Sequence, residues 1–199
     1  WPRILAPLMS VISTRLLNNG GVDVYSNYLV FFGYSAIICV FGSLGYNSAY
    51  VRFFARRKGF GLKGFLLISK SRFFFSAIIV LLQIIVLELF WMPESINIFL
   101  LFLYCIVKIW YDILAEVSFV YSKFFGSLAT QGLPFMIFVV LLGLNGGTSP
   151  EMYLTLSYIV ALLFMVFIAL KNWPRTDMVR GDLSFNLKLY LVPILSTLL

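Results

Sequence analysis

Lys108, Asp112 and Glu116 stand at i, i+4 and i+8 inside an otherwise apolar run, INIFLLFLYCIVKIWYDILAEVSFV. On a helix, steps of four residues advance about 40°, so the three charges share one face about 80° wide. A cation and two acids so spaced can do one of two things. Lys108 and Asp112 can neutralise each other as a structural pair. Alternatively, the face lines a substrate or ion path, with the ammonium receiving an anion and the carboxylates tuning it or carrying a coupling ion. Counted from Ile96, Lys108 falls near mid-membrane and Asp112 about 6 Å further along. Gln83, in the middle of another apolar run, is expected to join the same lining. Arg15 is the other cation placed to do chemistry. It either snorkels to the interface or faces a wet cavity, where its planar fork suits phosphate.

Other chemistries are thin. The chain has no His, which removes the usual general base and the commonest zinc ligand. Cys39 and Cys105 each sit in an apolar run and are read as inert packing residues. Gly59-Phe60-Gly61-Leu62-Lys63-Gly64 spells G-x-G-x-x-G. It follows Arg56-Arg57-Lys58 and not a strand, so it is read as a flexible loop, not a dinucleotide site. There is no Walker A pattern, and no cofactor is expected. Energy would come from an ion gradient or another protein.

These residues need elements to hold them, and composition names the class. Of 199 residues, 61% are hydrophobic and 12% charged, against roughly 45–50% and 25% in a soluble domain. Mean hydropathy is +0.98. The expected fold is an all-α integral membrane bundle of six transmembrane helices. Its spans are Ile4–Leu17, Tyr25–Val51, Phe73–Trp91, Ile96–Phe119, Ser127–Leu144 and Tyr153–Leu170. Residues 1–170 form this lobe, 171–188 a cytoplasmic connection, and 189–199 the start of a seventh helix. At 1.5 Å per residue that last segment reaches only about 16 Å, so we expect a fragment of a longer protein.

The net charge of +7 is read as membrane topology and not as nucleic-acid binding. Residues 52–72 hold Arg52, Arg56, Arg57, Lys58, Lys63, Lys70 and Arg72 with no acid, and 171–188 hold four more basic residues. The connections 18–24, 92–95 and 145–152 carry no Lys or Arg and one acid each. Positive charge marks the cytoplasmic side, so the even-numbered spans end there and the N-terminus lies inside. Segment 52–72 also suits anionic lipid head groups. Trp91, Tyr153 and Trp173 fit an interfacial aromatic belt. Gly42-x-x-Gly45 would let a neighbouring helix come close, and Pro134 should kink the fifth span.

Three stretches resemble a family. Thr14-Arg15-Leu16-Leu17, then Gly20 and Tyr25, resembles the A-R-x-L-G…Y pattern of polysaccharide flippases of the Wzx type. Leu44-Gly45-Tyr46-Asn47-Ser48-Ala49-Tyr50-Val51-Arg52-Phe53 is similar to their L-G-x-x-x-A-x-x-R-F. Tyr190-Leu191-Val192-Pro193-Ile194-Leu195-Ser196 is similar to the L-P segment opening their seventh helix. Asn18 stands where the family has Gly after R-x-L. The resemblance covers the whole chain and implies the multidrug/oligosaccharidyl-lipid/polysaccharide exporter superfamily.

That resemblance implies two helical lobes around a central cavity, of which this chain would be the first. It also implies a non-enzymatic flippase of the bacterial inner membrane, serving O-antigen, capsule or similar polysaccharide biosynthesis. The substrate would be an undecaprenyl-pyrophosphate-linked oligosaccharide moved by alternating access, with contacts to other polysaccharide-assembly proteins. On this reading Arg15 and Lys108 meet the anionic substrate and Arg52 is an inner-mouth contact. Asp112, Glu116 and Gln83 line the cavity or couple the ion. The alternatives are a drug/cation antiporter of the same superfamily and, from another class, a membrane glycan polymerase or acyltransferase.

Overall fold

The computed structural model describes residues 11–18, 21–43, 62–93, 95–121, 132–145 and 149–172. Every regular element among them is helical. Helix α1 covers 11–18, and α2 is Val22–Ser43. They are followed by α3 (Leu62–Phe90), α4 (Ile98–Tyr121), α5 (Leu133–Asn145) and α6 (Pro150–Asn172). Four of these helices are long and apolar enough to cross a membrane: α2, the Phe73–Phe90 part of α3, Ile98–Ser118 of α4, and Pro150–Lys171 of α6. The chain is a membrane protein by that measure.

The helix ends follow from local chemistry. Gly21 adopts φ +102°, a conformation only glycine holds cheaply, and turns the chain from α1 into α2. Asn97 caps α4, its Oδ1 accepting from the Leu100 amide at 3.0 Å. Pro150 opens α6 at a position whose N–H would have no intrahelical partner.

The contacts fix the directions of the helices. Phe31 meets the ring of Tyr104, Cys39 lies against Cys105, and a Cβ on Gly42 would touch Ile109. Numbers rise together on both helices, so α2 and α4 run parallel. By contrast, Gly42 also faces Val80, while Tyr34 earlier in α2 donates its hydroxyl proton to the Trp91 carbonyl at 2.7 Å. Thus α3 runs antiparallel to α2. Glu151, at the start of α6, shares a pocket with Asn97 and Leu100, at the start of α4. The alternation expected from loop charges is therefore present in α2, α3, α4 and α6. Helix α4 is the hub, packing against α2, α3 and α6, and α5 packs on α6.

Three expectations change. Residues 62–72, read as part of a basic connection, belong to helix α3. Hydropathy falls there, but backbone hydrogen bonding does not need apolar side chains, and Leu, Lys and Arg are good helix formers. Only 59–61 of the glycine motif lie outside the described residues, and Leu62, Lys63 and Gly64 open the helix. Pro134 does not kink a span, because α5 begins at Leu133 and places it in the first turn. Tyr153 is buried, not displayed in an interfacial belt, whereas Trp91 is well exposed. At Gly42 the side chains of two neighbouring helices come close: an added Cβ would stand 2.9 Å from both Ile109 Cδ1 and Val80 Cγ2. Gly45, Arg52, Trp173 and the expected seventh helix lie outside the described residues.

Candidate functional site

Lys108 lies in the middle of α4, about 15 Å from its first residue, or half of a 30 Å hydrocarbon core. Its ammonium is 2.7 Å from Asp112 Oδ2, an i, i+4 pair made within one helix. The side chains are 22% and 35% exposed, so the pair is half-buried at the edge of the bundle interior. The same ammonium sits 5.3 Å from the centre of the Tyr158 ring on α6. A cation over an aromatic face within about 6 Å is attracted by the ring quadrupole, more so out of water.

Tyr158 is in turn held in place. Its ring meets those of Tyr104 and Tyr111 edge-on, at 5.3 and 5.4 Å, each with an interplanar angle of 84°. Edge-to-face pairs of this kind are favoured geometries. Tyr104, Lys108, Tyr111 and Asp112 therefore form one face of α4, and Tyr158 locks that face onto α6. All three tyrosines are buried.

On its other side the pair borders a cavity of about 300 Å³ between α2 and α4. Ala36, Cys39, Val40 and Ser43 of α2 form one wall, and Lys108 and Asp112 the polar part of the other. The α2 residues are small or slender, which leaves the space open. Ser43 turns its hydroxyl back to the Val40 carbonyl at 3.0 Å, so the acid and the ammonium supply the charge here.

The structure brings Lys108 and Asp112 together. Glu116 follows one turn along the same helix, half-buried and with partners of its own. Gln83 is not among the residues lining the Lys108 cavity. Its Oε1 is buried without a hydrogen-bond partner among the described residues. Arg15 is exposed on α1. Arg52 lies outside the described residues.

The sequence reading missed the tyrosines. Tyr104 and Tyr111 carry a signal that could have found them, since they share the Lys108 face at i−4 and i+3. Tyr158 carries none, because its contact is made between helices far apart in the chain. No known protein family, curated protein or solved structure matches this chain. The arrangement can therefore be read only from its own chemistry. A paired cation and acid beside a cavity along a membrane-length helix can hold an anionic or a cationic group by exchanging one partner for the ligand.

Proposed function

We propose that this chain belongs to a membrane flippase that moves an anionic lipid-linked oligosaccharide, of the undecaprenyl-pyrophosphate class, across the bacterial inner membrane. Its helices would form one lobe of a two-lobe transporter, as the three resembling stretches imply. The observation that carries the reading is the Lys108–Asp112 pair near the middle of the membrane-length helix α4, half-buried and open to a cavity between α2 and α4. A charge there costs at least about 2.5–3.5 kcal/mol to insert, which disfavours keeping it without use. In this scheme a substrate phosphate competes with Asp112 for the Lys108 ammonium. Arg15 supplies a second cation and Arg52 a contact at the inner mouth.

The test uses the full-length protein in its own cells, with surface polysaccharide as the readout. Lys108→Met combined with Asp112→Leu removes both charges and leaves neither unpaired. Arg15→Gln is made separately. Loss of at least nine-tenths of surface polysaccharide in the double variant, at unchanged membrane protein level, is the expected result. Normal polysaccharide in the double variant overturns the proposal.

The acid in the cavity favours one second reading, a drug/cation antiporter, in which a cationic substrate competes with Lys108 for Asp112. Cells carrying Asp112→Asn would then lose drug tolerance while polysaccharide stays normal.

A further inference from the structure

Cys39 on α2 and Cys105 on α4 are both buried, and each thiol is aimed at the other helix. Cys39 Sγ is 3.9 Å from the carbonyl oxygen of Cys105 itself, and Cys105 Sγ is 4.0 Å from that of Ser35. The contacts are reciprocal across one helix pair. About one turn further along both helices, Gly42 meets Ile109 so tightly that an added Cβ would stand only 2.9 Å away. Small residues let helix backbones approach inside the usual 8–10 Å separation. A disulfide needs Cα atoms about 4.4–6.8 Å apart, and the crossed contacts put each sulfur against the backbone of the opposite helix at this level. Bond formation then requires the two side chains to rotate toward each other.

Access is asymmetric. Cys39 lines the cavity beside Lys108, whereas Cys105 does not. A small oxidant in the cavity would meet Cys39 first, with Cys105 behind it. They are the two cysteines among these 199 residues.

We propose that Cys39 and Cys105 form a reversible disulfide clasp between α2 and α4, with a lipid-soluble quinone as the oxidant. Both S–H bonds break and one S–S bond forms. Two electrons and two protons pass to the quinone, which leaves as the hydroquinone, and an added dithiol returns the pair to thiols. The bond ties together the two walls of the Lys108 cavity and sets its width. The clasp is independent of what the cavity transports.

The experiment treats the full protein in membrane vesicles with a short-chain, ring-substituted quinone, and in parallel with diamide. Free thiols are then blocked, the sample is denatured, and trypsin cuts at the Lys and Arg residues of 52–72, between the two cysteines. Without reductant, the fragments bearing Cys39 and Cys105 are expected to stay joined, and with dithiothreitol to separate. Cys39 and Cys105 both become resistant to the blocking reagent. Cys39→Ser and Cys105→Ala, each tested alone, leave the fragments separate. Separation without reductant in the treated wild type, Cys39 and Cys105 still open to blocking, or linkage between different chains only, would overturn the clasp.

Discussion

Helices α3 and α4 are neighbours of similar length, yet they live in different surroundings. The membrane-length part of α3 has the higher mean hydropathy, 2.6 against 2.0, but only 17% of it is buried within the bundle, compared with 56% of α4. The greasier helix is the outer one. In water the opposite would hold, because apolar surface drives burial. In lipid the tails are as apolar as leucine, so an apolar face gains little by turning inward. Polar groups and closely fitting aromatic rings decide which helix becomes the hub. Helix α4 carries Lys108, Asp112, Glu116 and a pair of tyrosines, and α3 presents Phe74, Phe75, Leu82 and Leu89 outward.

The largest expected effect breaks the hub. Tyr158→Ala removes two edge-to-face ring contacts and the face under Lys108, and should destabilise the bundle by about 4 kcal/mol. Reversible unfolding in mixed micelles measures it. A loss below about 1 kcal/mol would mean that the tyrosines are not what binds α4 to α6.

Next comes the charge pair. Lys108→Met leaves the Asp112 carboxylate without its counter-charge and should cost about 3 kcal/mol in the same assay. Adding Asp112→Leu should restore most of that loss, since neither charge is then left alone. If the double variant is as unstable as the single one, the pair is not the reason that Lys108 is tolerated.

A smaller effect belongs to the contact between α2 and its two neighbours. Gly42→Leu forces a side chain against Ile109 and Val80, and overpacking of this kind costs about 2 kcal/mol. Gly42→Ala should cost less, because both neighbouring atoms are the ends of side chains that can yield. Equal stability of the Leu variant and the wild type would show that α2 moves freely relative to α3 and α4.

The smallest effect tests the periphery. Phe75, 62% exposed on α3, should be replaceable by Ala with a change of within about 0.5 kcal/mol. A loss as large as that of Tyr158→Ala would place α3 inside a larger packed assembly and end the contrast between the two helices.

Much of this was legible beforehand. Of the six apolar runs read as spans, four coincide with described helices long and apolar enough to cross a membrane, and the alternating loop charges implied the alternating directions seen in the contacts. Gly42 was recognisable as a point of close approach, because glycine is the residue that permits one. Helix ends were less legible. The basic residues 62–72 looked like a connection because hydropathy reports the solvent of a side chain and not the hydrogen bonding of a backbone. Pro134 looked like a kink because its position relative to the start of α5 could not be counted from apolar residues alone.

At the site, the spacing of Lys108 and Asp112 put an ion pair within reach of one helix face, and the fold keeps it. An i, i+4 pair is a local property, fixed by helix geometry. The Tyr158 ring beneath the ammonium, the cavity walled by Ala36 and Cys39, and the facing thiols of Cys39 and Cys105 are different. They depend on how far one helix is rotated and slid against another. No periodicity along the chain encodes that, because it is set by side chains meeting across gaps of fifty residues and more. By itself the sequence determined that these helices enter a membrane and that one of them carries charge to its middle. Only the tertiary structure decided which way that charge faces, because in lipid the packing of polar and aromatic groups, and not hydropathy, orders the bundle.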